Sequence, residues 1–285
     1  MNINHYKVSK EIKLNQVATS EVDVKAKQKL KKVRKKISEL QDVMYAHGKY
    51  SMLICLQGMD TSGKDSLIRE VFKNVNARGV VVHSFKVPTE NELKHDFLWR
   101  HYIALPERGK IGVFNRTHYE NVLVTRVHPE YILGEQIPSI KNLDDVNDDF
   151  FQKRMEHINN FERHISENGT IILKFFLHLS KEEQKNRLLR RLNFTDKNWK
   201  FSSGDLKERK LWNQYQTYYE EAIHKTSTKN APWFIVPADD KETARFIVAR
   251  AILESLESYE DIKYPELEKT TTAQLKEFKN ELEND

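Results

Sequence analysis

The run Ser51 to Gln57 (SMLICLQ) leads straight into Gly58-Met59-Asp60-Thr61-Ser62-Gly63-Lys64-Asp65. A short apolar run of this kind suits a strand buried on both faces of a parallel sheet. The glycines and lysine that follow have the spacing G-x-x-x-x-G-K. Leu67, Ile68, Val71, Phe72 and Val75 then recur at helical intervals. Strand, Gly-rich loop and helix in that order restrict the chain to an α/β architecture with the loop at a strand's carboxyl end. Backbone N–H groups of such a loop, opening a helix N-terminus, make a nest for phosphate. Gly58, Thr61, Ser62 and Gly63 are the expected cradle, and Lys64 supplies a mobile charge to the same phosphates.

Two residues in the loop do not suit an anion. Asp65 stands where a phosphate loop carries Ser or Thr, and Asp60 lies inside the loop. Beside Lys64 both carboxylates are expected to be ionised and to repel phosphate. A divalent cation between them reverses that sign. Magnesium takes oxygen ligands and commonly bridges carboxylates and substrate phosphates; manganese is the alternative ion. Asp65 has two readings, a metal ligand or a cap for the helix that starts there. For Asp60 the readings are metal binding and orientation of an attacking phosphate oxygen.

Two further constellations accompany the loop. Lys110 to Phe114 (KIGVF) reads as a strand, followed by Asn115-Arg116-Thr117-His118-Tyr119-Glu120. In P-loop enzymes an acidic residue at such a strand end helps to hold magnesium. Asn115 takes that place here, and an amide can still order a water. Arg116 at a strand's carboxyl end is expected to face the phosphates. His118 and Tyr119 are readable as packing residues, and Glu120 as a supporting carboxylate or a helix start. The third constellation is basic: Arg187, Arg190 and Arg191 share one helix face, and Lys197 and Lys200 flank Trp199. Beside a P-loop these cations read as a lid that closes on phosphoryl groups, whereas an isolated basic cluster is a solvated face.

The remaining pattern is a polar arm (1–23), a helix over 24–47 stopped by Gly48, and a strand at 80–87. A helix is expected at 90–105, and an amphipathic helix at 148–168 before Asn168-Gly169. Next come a buried strand at 170–177 (TIILKFFL), a basic helix at 181–192, a polar loop at 193–203 and a helix at 205–225. A strand at 233–236, a helix at 242–259 and a charged tail end the chain. Strands alternating with helices predict a parallel sheet covered on both faces. The expected organisation is one domain over 1–260. Its N-terminal arm and helix take up 1–48, its lid lies at about 181–226, and 261–285 forms a peripheral tail.

Composition sets the outer bounds. Lys plus Arg is 47 against Asp plus Glu 42, a net charge of +5 that fits any polyanion. No apolar run approaches a membrane span, no signal peptide is evident, and the single cysteine, Cys55, has no partner for a disulfide. These features lead to an expectation of a cytoplasmic protein with no membrane partner and no specific nucleic acid.

The sequence resembles the family 2 polyphosphate kinases. The matching stretches are GMDTSGKD at 58–65, FNRTHYENVLVTRVHPE at 114–130, RLLRRLNFTDKNWKFSSGDLKERKLWNQYQTYYEEAI at 187–223 and NAPWFIVPADDK at 230–241. An Asp after the loop lysine together with an Asp inside the loop is specific to that family. The resemblance implies a thymidylate-kinase-like three-layer fold with a helical lid. It also implies magnesium-dependent, reversible phosphoryl transfer between inorganic polyphosphate and adenine nucleotides. By it Asp60, Lys64, Asp65 and Arg116 are active-site residues, with Arg187 and Arg190 as lid cations. Thr117 stands where the family commonly has Ser. The His118-Tyr119-Glu120 run resembles the subclass that phosphorylates both AMP and ADP, and the family is often homo-oligomeric. The rival readings are an ATP-dependent small-molecule or nucleoside monophosphate kinase and a non-catalytic P-loop protein that binds nucleic acid.

Overall fold

The computed structural model describes residues 2–9, 11–199, 201–267 and 269–285. Strands β1 (Ser51–Gln57), β2 (Val80–Ser84), β3 (Ile111–Asn115), β4 (Thr170–His178) and β5 (Trp233–Pro237) form one sheet in the order β2-β3-β1-β4-β5. Every pairing is parallel. β1 lies at the centre, and the chain crosses it to reach β4. The carboxyl end of β1 is therefore a topological switch point, where a crevice opens for a ligand.

Helices cover both faces. They are α1 (Ala26–His47), α2 (Lys64–Val71), α3 (Trp99–Tyr102), α4 (Glu120–Val127), α5 (Glu130–Leu133), α6 (Asp148–Glu167), α7 (Lys181–Asn193), α8 (Thr195–Asn198), α9 (Ser203–Lys210), α10 (Trp212–Thr226), α11 (Lys241–Glu257) and α12 (Lys269–Asn284). α1, α2 and α11 pack on one face, against Met52, Ile54 and Leu56 of β1. α4, α6 and α10 pack on the other, where Leu53 and Cys55 point. This is the period-2 alternation of a strand, buried on both sides. None of the described helices is long and apolar enough to cross a membrane.

Several segments differ from their sequence pattern: the expected strand at 80–87 ends at Ser84, and the expected polar loop at 193–203 holds the short helix α8. Residues 90–105 form one turn of 3-10 helix at Glu92–Lys94 and the short α3, not one helix. Tyr102 and Ile103 are exposed, while Arg100 and His101 are buried, so the apolar spacing there did not mark a buried face. The pattern over 205–225 is two helices, α9 and α10, separated at Leu211. The arm is held firmly: Ile3, Tyr6, Val8 and Leu14 are buried, and Val8 N–H donates to Trp233 O while Ile235 N–H donates to Tyr6 O. It thereby covers the free edge of β5, which would otherwise present unpaired backbone groups. The apolar stripe of α1 (Leu30, Val33, Ile37, Met44) is spent on α11 and the sheet, and Gly48 ends the helix at φ +65°.

Candidate active site

The loop after β1 keeps its shape by backbone freedom at two glycines. A Cβ on Gly58 would come 2.9 Å from Leu177 O and 2.9 Å from Ser62 Oγ, and Gly63 takes φ +104° at the start of α2. Thr61 is left-handed as well, at φ +66°. The loop rims a cavity of about 330 Å³. Asp60, Thr61, Ser62, Gly63, Lys64 and Asp65 line one side. Asn115 and Arg116 come from the end of β3, and Arg187, Arg190, Arg191, Lys197 and Lys241 complete the wall. Gly58 forms the base of the loop beneath, and Lys200 lies outside the described residues.

Lys64 is buried and gives its protons to neutral oxygens: Gly58 O at 2.6 Å, Ser62 Oγ at 3.3 Å and Met59 O at 3.4 Å. Burial pulls its ammonium down to about 8, and the charge on Arg116 adds to the fall. Lys241 is also lowered, by burial and then by Arg187 and Arg190. Arg190 and Lys241 have no ion pair among the described residues. The cavity is thus a concentration of cations that an anion would relieve.

The two loop carboxylates are engaged but not buried. Asp60 Oδ1 accepts from Arg116 NH2 at 2.8 Å, and Asp65 Oδ1 accepts from Asn115 Nδ2 at 2.6 Å. Asn115 Oδ1 and Thr61 Oγ1 are buried with no hydrogen-bond partner among the described residues. Hard oxygen donors facing a phosphate-sized cavity suit a magnesium-type ion. Among the described residues no three His, Cys, Asp or Glu side chains gather to hold a metal by themselves. The protein's share of such a shell would be one or two carboxylates, the usual arrangement when substrate oxygens and waters supply the rest.

Arg116 sits at the junction. It has φ +58°, and its guanidinium pairs with Asp60 and, at 3.6 Å, with Glu120. Glu120 raises its already high pKa, with Asp60 adding to it. Arg187 behaves differently from its neighbours. Its Nε donates to Glu183 Oε1, its NH1 to Thr61 O and Ser62 O, and its NH2 to Ala238 O and Asp239 O. A guanidinium has five N–H groups, so all of them are committed to the protein. Arg187 braces the loop from its place in the cavity wall, and no spacing rule distinguishes that role from phosphate binding. Arg191 pairs with Asp205 Oδ2 at 2.8 Å.

Arg116 and Glu120 also line a second cavity, of about 810 Å³. Its walls are mainly apolar: Phe85, Val87, Leu93 and Val124, with Arg100 and His101 at the back. The sequence pattern did not show this pocket because its lining joins the irregular 85–101 segment to residues of 116–135, which meet only in the fold.

A parallel sheet with a phosphate loop at its switch point, cations converging on it and a second pocket alongside define a P-loop phosphotransferase of the kinase type. The chain matches the family Polyphosphate kinase 2 (PPK2) over residues 20–264. It is 48% identical over 243 residues to an ADP-polyphosphate phosphotransferase of Rhodopseudomonas palustris, covering 85% of this chain and 82% of the relative. It is 45% identical over 236 residues to an AMP/ADP-polyphosphate phosphotransferase of Meiothermus ruber, covering 83% and 82%. The crystal structure of a polyphosphate kinase 2 from Arthrobacter aurescens superposes with a TM-score of 0.85 at 34% identity, over 95% of this chain and 94% of that one. The chain belongs to the polyphosphate kinase 2 family.

Proposed function

We propose that this protein transfers the terminal phosphoryl group of inorganic polyphosphate to AMP and ADP, giving ADP and ATP, reversibly. One observation carries this reading: the cation-lined phosphate cavity and the larger apolar cavity meet at Arg116. A chain of phosphates fits the first, and a nucleoside fits the second, whose volume is that of a small-molecule site. The relatives from R. palustris, an ADP-polyphosphate phosphotransferase, and M. ruber, an AMP/ADP-polyphosphate phosphotransferase, support the donor and both acceptors.

Each residue then has a role. The loop N–H groups and Lys64 hold the donor's terminal phosphates. Arg116, between the cavities, stabilises charge on the group in transit and positions donor and acceptor in line. Asp60 and Asp65 would hold magnesium, or manganese in its place, which when bound neutralises charge between the two phosphate chains. The acceptor phosphate is already ionised, so no strong base is needed. Arg190, Arg191 and Lys197 extend the cationic wall along the donor. The moving part of the lid is shorter than 181–226. Arg187 and Gln184 tie the first turns of α7 to the loop, and α10 is core, with Tyr219 and Ile223 buried. That leaves the described residues of 190–199 and 201–210 as the part that would close. Self-association is supported by the exposed stripe Leu275, Phe278 and Leu282 of α12, and sedimentation at several concentrations checks it.

Incubation with magnesium, long-chain polyphosphate and AMP or ADP, in the absence of ATP, tests the proposal. ADP and ATP are expected. Absence of both overturns it, and transfer from ATP alone would favour a nucleoside monophosphate kinase. Salt-sensitive nucleic-acid binding without turnover would favour the non-catalytic alternative.

A further inference from the structure

Behind Arg116 lies a buried ionic cluster that the proposed mechanism does not use. Lys174, in the middle of β4, and Glu162, on α6, are both essentially inaccessible, and Lys174 Nζ donates to Glu162 Oε2 at 2.6 Å. Lys174 also donates to Tyr119 OH at 2.8 Å and Thr226 O at 2.7 Å, so its three protons are used. The other oxygen of Glu162 accepts from Tyr119 OH at 2.8 Å and lies 3.1 Å from His118 Nε2. Thr117, also buried, accepts from Gln57 Nε2 and from the Tyr119 N–H through Oγ1. Burial would raise the Glu162 carboxyl, but the Lys174 charge and the His118 contact outweigh it and hold the group below its ordinary range.

Such a cluster is a poor way to gain stability. Desolvating two charges costs about as much as their attraction returns, and well-packed apolar residues often do as well. Its location is informative. Thr117, His118 and Tyr119 are the three residues directly after Arg116, and all are buried and hydrogen-bonded. Arg116 itself is a non-glycine residue in the left-handed region, at φ +58°, a conformation that persists only when its surroundings over-determine it.

We infer that Glu162 and Lys174 are positioning residues: through His118 and Tyr119 they pin the chain after β3, hold Arg116 in its left-handed turn and aim its guanidinium between the two cavities. The inference deepens the phosphotransferase reading and rests on it for the kinetic half of its test. A misplacement of about 1 Å at a group that positions substrate can cost on the order of 100-fold in rate.

A double-mutant cycle with Arg116 distinguishes positioning from simple scaffolding. Tyr119→Phe and Glu162→Gln are each made alone and with Arg116→Lys, and thermal melts establish that each variant is folded. Binding of inorganic tripolyphosphate and the steady-state constants for ADP are measured in each. Tyr119→Phe is expected to lower kcat about tenfold with little change in KM for ADP. In the Arg116→Lys background the same change should cost less than about twofold, because sites that act through one another are not additive. Tripolyphosphate affinity should show the same non-additivity. Equal factors in both backgrounds, or an unchanged kcat in folded Tyr119→Phe, overturn the inference. If Glu162→Gln does not fold, the Tyr119→Phe cycle decides alone. If the wild type binds tripolyphosphate but transfers nothing, the functional reading falls and the binding cycle still decides this one. No tripolyphosphate binding by the wild type overturns both.

Discussion

Among the described residues two lysines are buried, and they are treated in opposite ways. Lys174 is neutralised: a carboxylate, a phenol and a carbonyl take its protons at 2.6–2.8 Å. Lys64 is left with backbone carbonyls and a hydroxyl, while the carboxylates beside it are turned to Arg116 and Asn115. One charge is satisfied within the protein and serves to fix other groups. The other is incompletely compensated, and in the proposed mechanism it is met by a phosphate from outside. Burial alone does not separate a structural ion from a functional one; the identity of the partner does.

Lys64→Ala should break the functional half of this comparison most strongly. It is expected to lower kcat about 10⁴-fold, within the range for a cation that stabilises a transferring phosphoryl group, with the melting temperature little changed. Lys174→Met should act first on stability, with the smaller fall in kcat expected of a positioning residue. It strands Glu162 without a counter-charge and is expected to cost about 3–5 kcal/mol in urea unfolding, while Lys174→Met with Glu162→Leu should recover most of that loss. Asp60→Asn comes next, with a fall of about 100-fold in kcat in a folded protein; near-normal turnover would remove Asp60 from the mechanism.

The smallest effect is on pH dependence. With its pKa lowered to about 8, Lys64 in the free enzyme loses its proton above that pH, so kcat/KM for polyphosphate should decline from about pH 8. The limb should move upward in kcat, because bound phosphate restores the proton. Stability should respond with the opposite sign. Between about 8 and the ordinary lysine value of 10.5 the unfolded chain holds the extra proton, so the Lys64 contribution to stability rises with pH. The difference between wild type and Lys64→Met in melts across that window isolates it. A limb that Lys64→Arg leaves in place would assign the titration to another group.

Much of the architecture was legible. The strand–loop–helix unit at 51–71, the alternating strands and helices, and α1 with its Gly48 stop all follow from local periodicity and turn chemistry. The segment at 85–105 was not legible, because residues that line a pocket obey the shape of a ligand and not the period of a helix. The arm read as weakly patterned for a related reason: Tyr6, Val8 and Leu14 find backbone or side-chain partners on β5 and α10, and the turn at Ile3 packs on α11, more than 200 residues along the chain. In the site, Asp60, Lys64, Asp65 and Arg116 could be named from spacing, and the fold brings them to one cavity. Arg187 could not be told from Arg190, because helix spacing gives a shared face and not the acceptor each side chain meets.

The sequence by itself determined that there is a phosphate loop, that it carries two carboxylates, and that an arginine follows the strand beside it. These are properties of neighbouring residues, set by backbone sterics and local charge. Only the tertiary structure decided that Arg187 braces the loop, that a second cavity opens beside Arg116, and that Lys174 in a strand of apolar residues is answered by Glu162. Each depends on groups that meet only after the sheet forms. A side chain's chemistry is fixed by its type, but its role depends on which partner the folded chain brings within hydrogen-bonding distance.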